Sequence, residues 1–139
     1  MSLCPAQFIR KLLTDVIMKF LPKRVDKPWG YEIWWAENDR YGGKIIHVNE
    51  GMRLSWQYHN VKDETMYCLS GEAVLIYKDH NGAIKEERLG IGESFRISPR
   101  MQHRLCAGAS GCDVLEASTP ELQDVVRLED DYGRISSQA

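Results

Sequence analysis

The chain predicts an all-β fold, a sandwich or small barrel of short strands, and three observations carry that reading. Aromatic and β-branched runs recur with turn signals between them, glycines punctuate the corners, and no repeat or low-complexity tract interrupts the series. Taken in order, WGYEIWW is followed by a turn at Asn38-Asp39, then GKIIHVN by a turn at Glu50-Gly51. The stretch from Gly51 to Gly71 supplies two more strands. EAVLIYKD leads through Asn81-Gly82, a strong hairpin signal, into IKEERL, and SFRIS, HRLCA and CDVLEAS complete roughly nine strands. Before them, Phe8, Ile9, Leu12, Leu13, Val16, Ile17 and Phe20 form an apolar stripe that predicts an amphipathic helix over Pro5 to Leu21, ended by Pro22. The expected organisation is a helical extension over 1–26, docked on the domain or on a partner subunit, and a β-barrel over 27–139.

At 139 residues the chain has room for one core. Its 18 basic and 20 acidic residues nearly cancel, which argues against nucleic acid or an anionic membrane as partner. The charge is uneven: residues 1–27 hold six Lys or Arg against Asp15 and Asp26, for +4, leaving −6 on the remainder. No apolar run is long enough for a secretory leader or a membrane span, so a cytoplasmic protein is expected. Cys4, Cys68, Cys106 and Cys112 show no CxxC spacing and read as reduced thiols.

The chemistry concentrates in GMRLSWQYHNVKDETMYCLSG. Gln57 and His59 are two apart, so an extended strand points both the same way and they can share one ion. Asn60 to Asp63 are short and polar enough for a hairpin loop returning Glu64 beside His59. Arg53, Ser55, Gln57 and His59 make one face polar and Leu54, Trp56 and Tyr58 the other apolar, predicting a ligand-holding cavity in front and a cover behind; a homodimer is one such cover. A second stretch, GESFRISPRMQHRL, lets Pro99 end one strand and places His103 at the start of the next.

Together the two stretches resemble the cupin superfamily. Gly51, His59, Glu64 and Gly71 match its first motif with Gln57 at the first His position, and Gly92 and His103 match its second, with Ser98 at the Pro position and Arg100 at the Gly position. The resemblance implies a double-stranded β-helix, a jelly-roll-like small barrel. KPWGYE, LSWQYH and TPELQDVVRLEDDYGR extend the likeness, from about Lys27 to Arg134, to the cupin domain of type II mannose-6-phosphate isomerases. That domain usually follows a nucleotidyltransferase domain, for which this sequence has neither the length nor the glycine-rich loop.

The resemblance places metal ligands at Gln57, His59, Glu64 and His103. Such a donor set suits one divalent ion, zinc, manganese, iron or nickel, able to polarise the carbonyl of a sugar or sugar phosphate. Lys62 stands where the isomerases carry Arg, and Thr65 and Met66 stand where they carry His and Trp. Aldose-ketose isomerisation also needs a base, for which Lys62 and Glu116 are the candidates, and Lys44, Arg53, Arg96 and Arg104 are candidate phosphate contacts. Two alternatives stand beside the isomerase: a nonhaem-iron oxygenase, since His59, Glu64 and His103 make a two-His, one-carboxylate set, and a noncatalytic sugar-binding module.

Overall fold

The computed structural model describes residues 5–6 and 18–135. Most of the expected N-terminal helix lies outside these residues; Pro5 and Ala6 are helical, and residues 18–22 are non-helical chain. Among the described residues nine strands follow: β1 Lys23–Lys27, β2 Gly30–Glu37, β3 Gly42–Val48, β4 Trp56–Tyr58, β5 Glu64–Lys78, β6 Ile84–Leu89, β7 Ser94–Ile97, β8 His103–Ser118 and β9 Val126–Glu129. All pairings are antiparallel. One path runs β1-β2-β3-β8-β4-β9, and β5, paired with β8, adds β6 and β7 to it, curling the sheet into a half-barrel.

The strand number agrees with the sequence reading, but its division does not. ETMYCLS and EAVLIYKD are one strand, β5, and HRLCA and CDVLEAS are one strand, β8. These two run side by side from Glu64↔Ser118 to Tyr77↔His103, with register shifts at Cys68/Ser70 and Gly71/Ala73. Gly71 and Gly111 make the corner with φ of 77° and 69°. A side chain on Gly71 would stand 2.1 Å from the Gly111 carbonyl oxygen, so glycine is required for the two backbones to approach this closely.

The corner also changes which parity faces inward. Glu64, Met66 and Cys68 are buried before it and Ala73 and Leu75 after it; on β8, His103, Leu105 and Ala107 are buried first and Cys112, Val114 and Glu116 later. A bulge shifts every later side chain to the opposite face, and here it brings His103 and Glu116 inside together. The strands absent from the sequence reading are β1 and β9. β1 pairs with β2 along its whole length, so the sheet begins at Lys23, within the 1–26 extension and just past the Pro22 expected to end its helix.

Trp29, Ile46, Val48, Met66, Cys68, Leu75, Leu105 and Val114 form the core. Cys68, Cys106 and Cys112 are free thiols. The apolar back expected of Leu54, Trp56 and Tyr58 is split: Leu54 enters the core, Trp56 Nε1 donates to Gln102 at 3.3 Å, and the Arg100 guanidinium covers Tyr58.

Candidate metal centre

His59, Glu64 and His103 converge. Their ligand atoms lie within 4.8 Å of one another, and all three residues are at most 2% exposed. Glu64 Oε1 is 3.1 Å from His59 Nε2 and 3.5 Å from His103 Nε2. The route to this meeting differs from the expected hairpin, since β4 pairs with β8 and β9 and not with β5. Residues 60–63 instead form a loop between β4 and β5, with Asn60 and Val61 exposed and Lys62 buried.

The imidazoles are oriented from behind. A backbone carbonyl only accepts, so His59 Nδ1 donates to Asp124 O at 2.5 Å and His103 Nδ1 donates to Met101 O at 2.9 Å. In the neutral rings Nε2 then keeps a bare lone pair, and both face the same carboxylate. His103 Nε2 is buried with no hydrogen-bond partner among the described residues, as is Glu64 Oε2. Two lone pairs beside an ionised carboxylate repel one another unless a cation stands among them. The donor set fits a divalent ion, which takes His nitrogen and carboxylate oxygen at about 2.0–2.2 Å.

Asp124 supports the loop as well as the ring. Its carboxylate accepts from the backbone N–H of Asn60, Val61 and Lys62 at 3.1, 2.7 and 2.9 Å. The opposite side of the loop is tied by Arg100, whose N–H donates to His59 O at 2.7 Å and whose guanidinium donates to Asn60 at 2.8 Å. Arg100 does so at a φ of 72°, the left-handed region that its glycine-like place in the second motif demands.

Lys62 is 3% exposed, with Nζ 2.6 Å from Glu64 Oε2 and 3.3 Å from Glu116 Oε1. The close approach to Glu64 is ionic, off the line of a directed hydrogen bond. Burial would lower the Lys62 pKa, but Glu116 and Glu64 outweigh it and raise it, which favours the ammonium form of Lys62. Burial pushes the Glu116 carboxyl up to about 8, with the Glu64 charge adding and Lys62 opposing. Burial would raise the Glu64 carboxyl, but the Lys62 ammonium outweighs it and holds Glu64 well below the usual carboxylate range.

These groups border a cavity of about 610 Å³. Gln57 lines it too, with Oε1 accepting from Ser55 Oγ at 2.7 Å, a bond that coordination through that oxygen would have to share or break. Of the four expected phosphate contacts only Lys44 lines the cavity, and it is committed: its Nζ is 3.2 Å from Glu32 Oε2 and donates to Leu122 O at 3.2 Å.

Arg53 faces outward against Asp131, because the chain before β4 is irregular and strand alternation does not extend back from Gln57. Arg96 lies on an outward position of β7, paired with Asp63, and Arg104 is buried on the far face of β8, reaching Glu129 O at 3.4 Å. Arg53→Met and Arg96→Met therefore leave metal and ligand uptake unchanged in an equilibrium dialysis experiment.

In place of these arginines the cavity is lined by Lys27, Arg127 and Arg134. Each sits in a segment that carries the isomerase likeness, KPWGYE or TPELQDVVRLEDDYGR, but neither periodicity nor spacing marks it as inward-facing.

An antiparallel β-barrel whose first motif delivers His59 and Glu64 to one interior point, and whose second delivers His103 to the same point, is a cupin. Within that class, the chain belongs to the mannose-6-phosphate isomerase C-terminal family, whose model matches residues 18–130. It is 35% identical over 117 residues to the mannose-1-phosphate guanylyltransferase ManC of Salmonella typhimurium, covering 81% of this chain and 23% of that protein's length. Among solved structures it resembles the capsular polysaccharide assembling protein CapF of Staphylococcus aureus, with a TM-score of 0.68, 17% identity, and coverage of 83% of this chain and 34% of that one. It also resembles oxalate decarboxylase of Bacillus subtilis, a protein with Mn(II) centres, with a TM-score of 0.67, 15% identity, and coverage of 77% and 30%. At these identities the structural likeness is one of fold. Among the described residues no helix is long and apolar enough to cross a membrane.

Proposed function

We propose that this chain is a metal-dependent cupin that interconverts the aldose and ketose forms of a phosphorylated sugar, the mannose 6-phosphate and fructose 6-phosphate pair or a related one. The observation that carries the reading is the bare, buried Nε2 of His103 facing Glu64 and His59, the two members of the trio that line a cation-lined cavity. His59, Glu64 and His103 would hold the ion, with Gln57 available beside them. A zinc, manganese, iron or nickel ion so held supplies Lewis acidity toward a substrate carbonyl.

The remaining work falls to the chain. Lys62, fixed as an ammonium, places positive charge where the substrate oxygens become more negative as the proton leaves carbon. Glu116, buried on the cavity wall with a pKa near the working range, takes a proton from one carbon and returns it to the neighbouring one. A coupled assay on protein reconstituted with each of the four metals tests this. Turnover is expected, together with its loss in Glu116→Gln at unchanged metal content; no turnover on any hexose or pentose phosphate with any ion contradicts it.

One observation favours a second reading, a sugar-binding module without turnover. The Lys62 ammonium already neutralises Glu64 at 2.6 Å, in a place where the isomerases carry Arg, whose forked guanidinium Lys does not reproduce. Saturable sugar binding with no interconversion selects that reading. The expected homodimer belongs to the proposal as well, and light scattering at micromolar concentration checks it, a monomer contradicting it.

A further inference from the structure

The inner face of the barrel carries a row of three cross-strand neighbours. His103 on β8 is opposite Gln57 on β4, and Gln57 is opposite Arg127 on β9. Directly paired residues share a face, so the row leads from the histidine of the trio to a guanidinium two strand spacings away, roughly 10 Å between Cα atoms. Lys27, at the end of β1, lines the same cavity.

The charges around Lys27 and Arg127 do not balance. Lys44 is matched by Glu32, and Arg134 by Asp130 through hydrogen bonds of 3.0 and 2.8 Å. Lys27 and Arg127 have no ion pair among the described residues, which leaves two cations over. The imbalance is felt by both: burial lowers the Lys27 pKa, with Glu32 opposing and Lys44, Arg127 and Arg134 adding, and burial and then Arg134 lower that of Arg127. Two buried N–H donors of the cavity lining, Arg127 Nε and Trp29 Nε1, also have no acceptor among the described residues. Unpaired cations and idle donors in one wall are what a bound oxyanion would satisfy, and a guanidinium fork suits a phosphate.

We infer that Lys27 and Arg127 form an anion subsite that takes a phosphate group two strands away from the metal trio. The anion half of this assignment stands on the residues above; that the phosphate belongs to the sugar rests on the reading given under Proposed function. The sugar would span the distance, its carbonyl end toward His59 and His103 and its phosphate toward β9 and β1.

Inorganic phosphate titrated calorimetrically into chelator-treated protein at low ionic strength tests the subsite without the metal. Saturable binding is expected, weakened about tenfold or more in Lys27→Met and in Arg127→Met, and unaltered in Arg96→Met. Arg127→Lys, which keeps the charge, is expected to bind between wild type and Arg127→Met and serves if the methionine variant does not fold.

Absence of saturable uptake by the wild type, or wild-type affinity in an Arg127 variant with an unchanged circular dichroism spectrum, overturns the subsite. A protein that takes up phosphate here but no metal refutes the metal reading alone. In metal-loaded protein, a hexose 6-phosphate should gain affinity over its metal-free value while inorganic phosphate gains none. Equal behaviour of the two removes the sugar from the assignment.

Discussion

Lys62→Met is expected to lower the stability of metal-free protein by about 3–5 kcal/mol, the cost of leaving buried charge without its partner. The ammonium lies against Glu64 on one side and Glu116 on the other, and all three residues are at most 3% exposed. Without it two carboxyl groups share a site with no cation. Glu116 answers by keeping its proton, which softens the loss, but Glu64 remains ionised between two imidazoles.

A divalent ion at the trio restores positive charge beside Glu64, so metal should recover most of the stability. In thermal melts the variant is expected to fall by about 10–20 °C in chelator and to be raised by metal more than the wild type is. The double variant Lys62→Met/Glu116→Gln should recover part of the loss without metal. A variant that melts like wild type in chelator would show that Lys62 does not neutralise the pair.

Asp124→Ala is the second large change. Three backbone N–H groups of the 60–62 loop lose their acceptor, and the main-chain carbonyl that holds His59 Nδ1 belongs to the same residue. The carboxylate is partly solvated, so a value near the neutral hydrogen-bond range applies and the expected loss is about 2 kcal/mol. The effect on metal is larger in proportion. Groups that orient a ligand from behind change affinity by about 10–100-fold when removed, and here the loop carrying His59 also loosens. Asp124→Asn, which keeps one acceptor oxygen, should fall between. Competition against a chromogenic chelator reads both variants, and wild-type metal affinity in Asp124→Ala would show that the loop holds His59 without this anchor.

The sequence discloses the barrel and the trio because both are written in short-range patterns. Turn signals mark the strands, and His59, Glu64 and His103 sit at fixed intervals from Gly51, Gly71 and Gly92. What it conceals depends on long-range register. Simple alternation puts His103 and Glu116 on opposite faces of a continuous strand, and only the corner at Gly71 and Gly111 brings both inside. Alternation carried back from Gln57 turns Arg53 inward, and the irregular chain before β4 turns it out. Nothing in the sequence turns Asp124, Lys27 or Arg127 inward, and alternation around Arg127 would favour Val126 and Leu128 instead. Lys27 and Arg127 reach the cavity because β1 and β9 close the two ends of the strand path.

The claim on which the rest depends is that His59, Glu64 and His103 bind one divalent ion. It is tested most directly by elemental analysis of wild-type and His103→Ala protein after dialysis against a zinc or manganese buffer, with circular dichroism confirming that the variant is folded. One ion per chain in the wild type and almost none in the variant is the expected result. A metal-free wild type, or equal metal content in the two proteins, would contradict it.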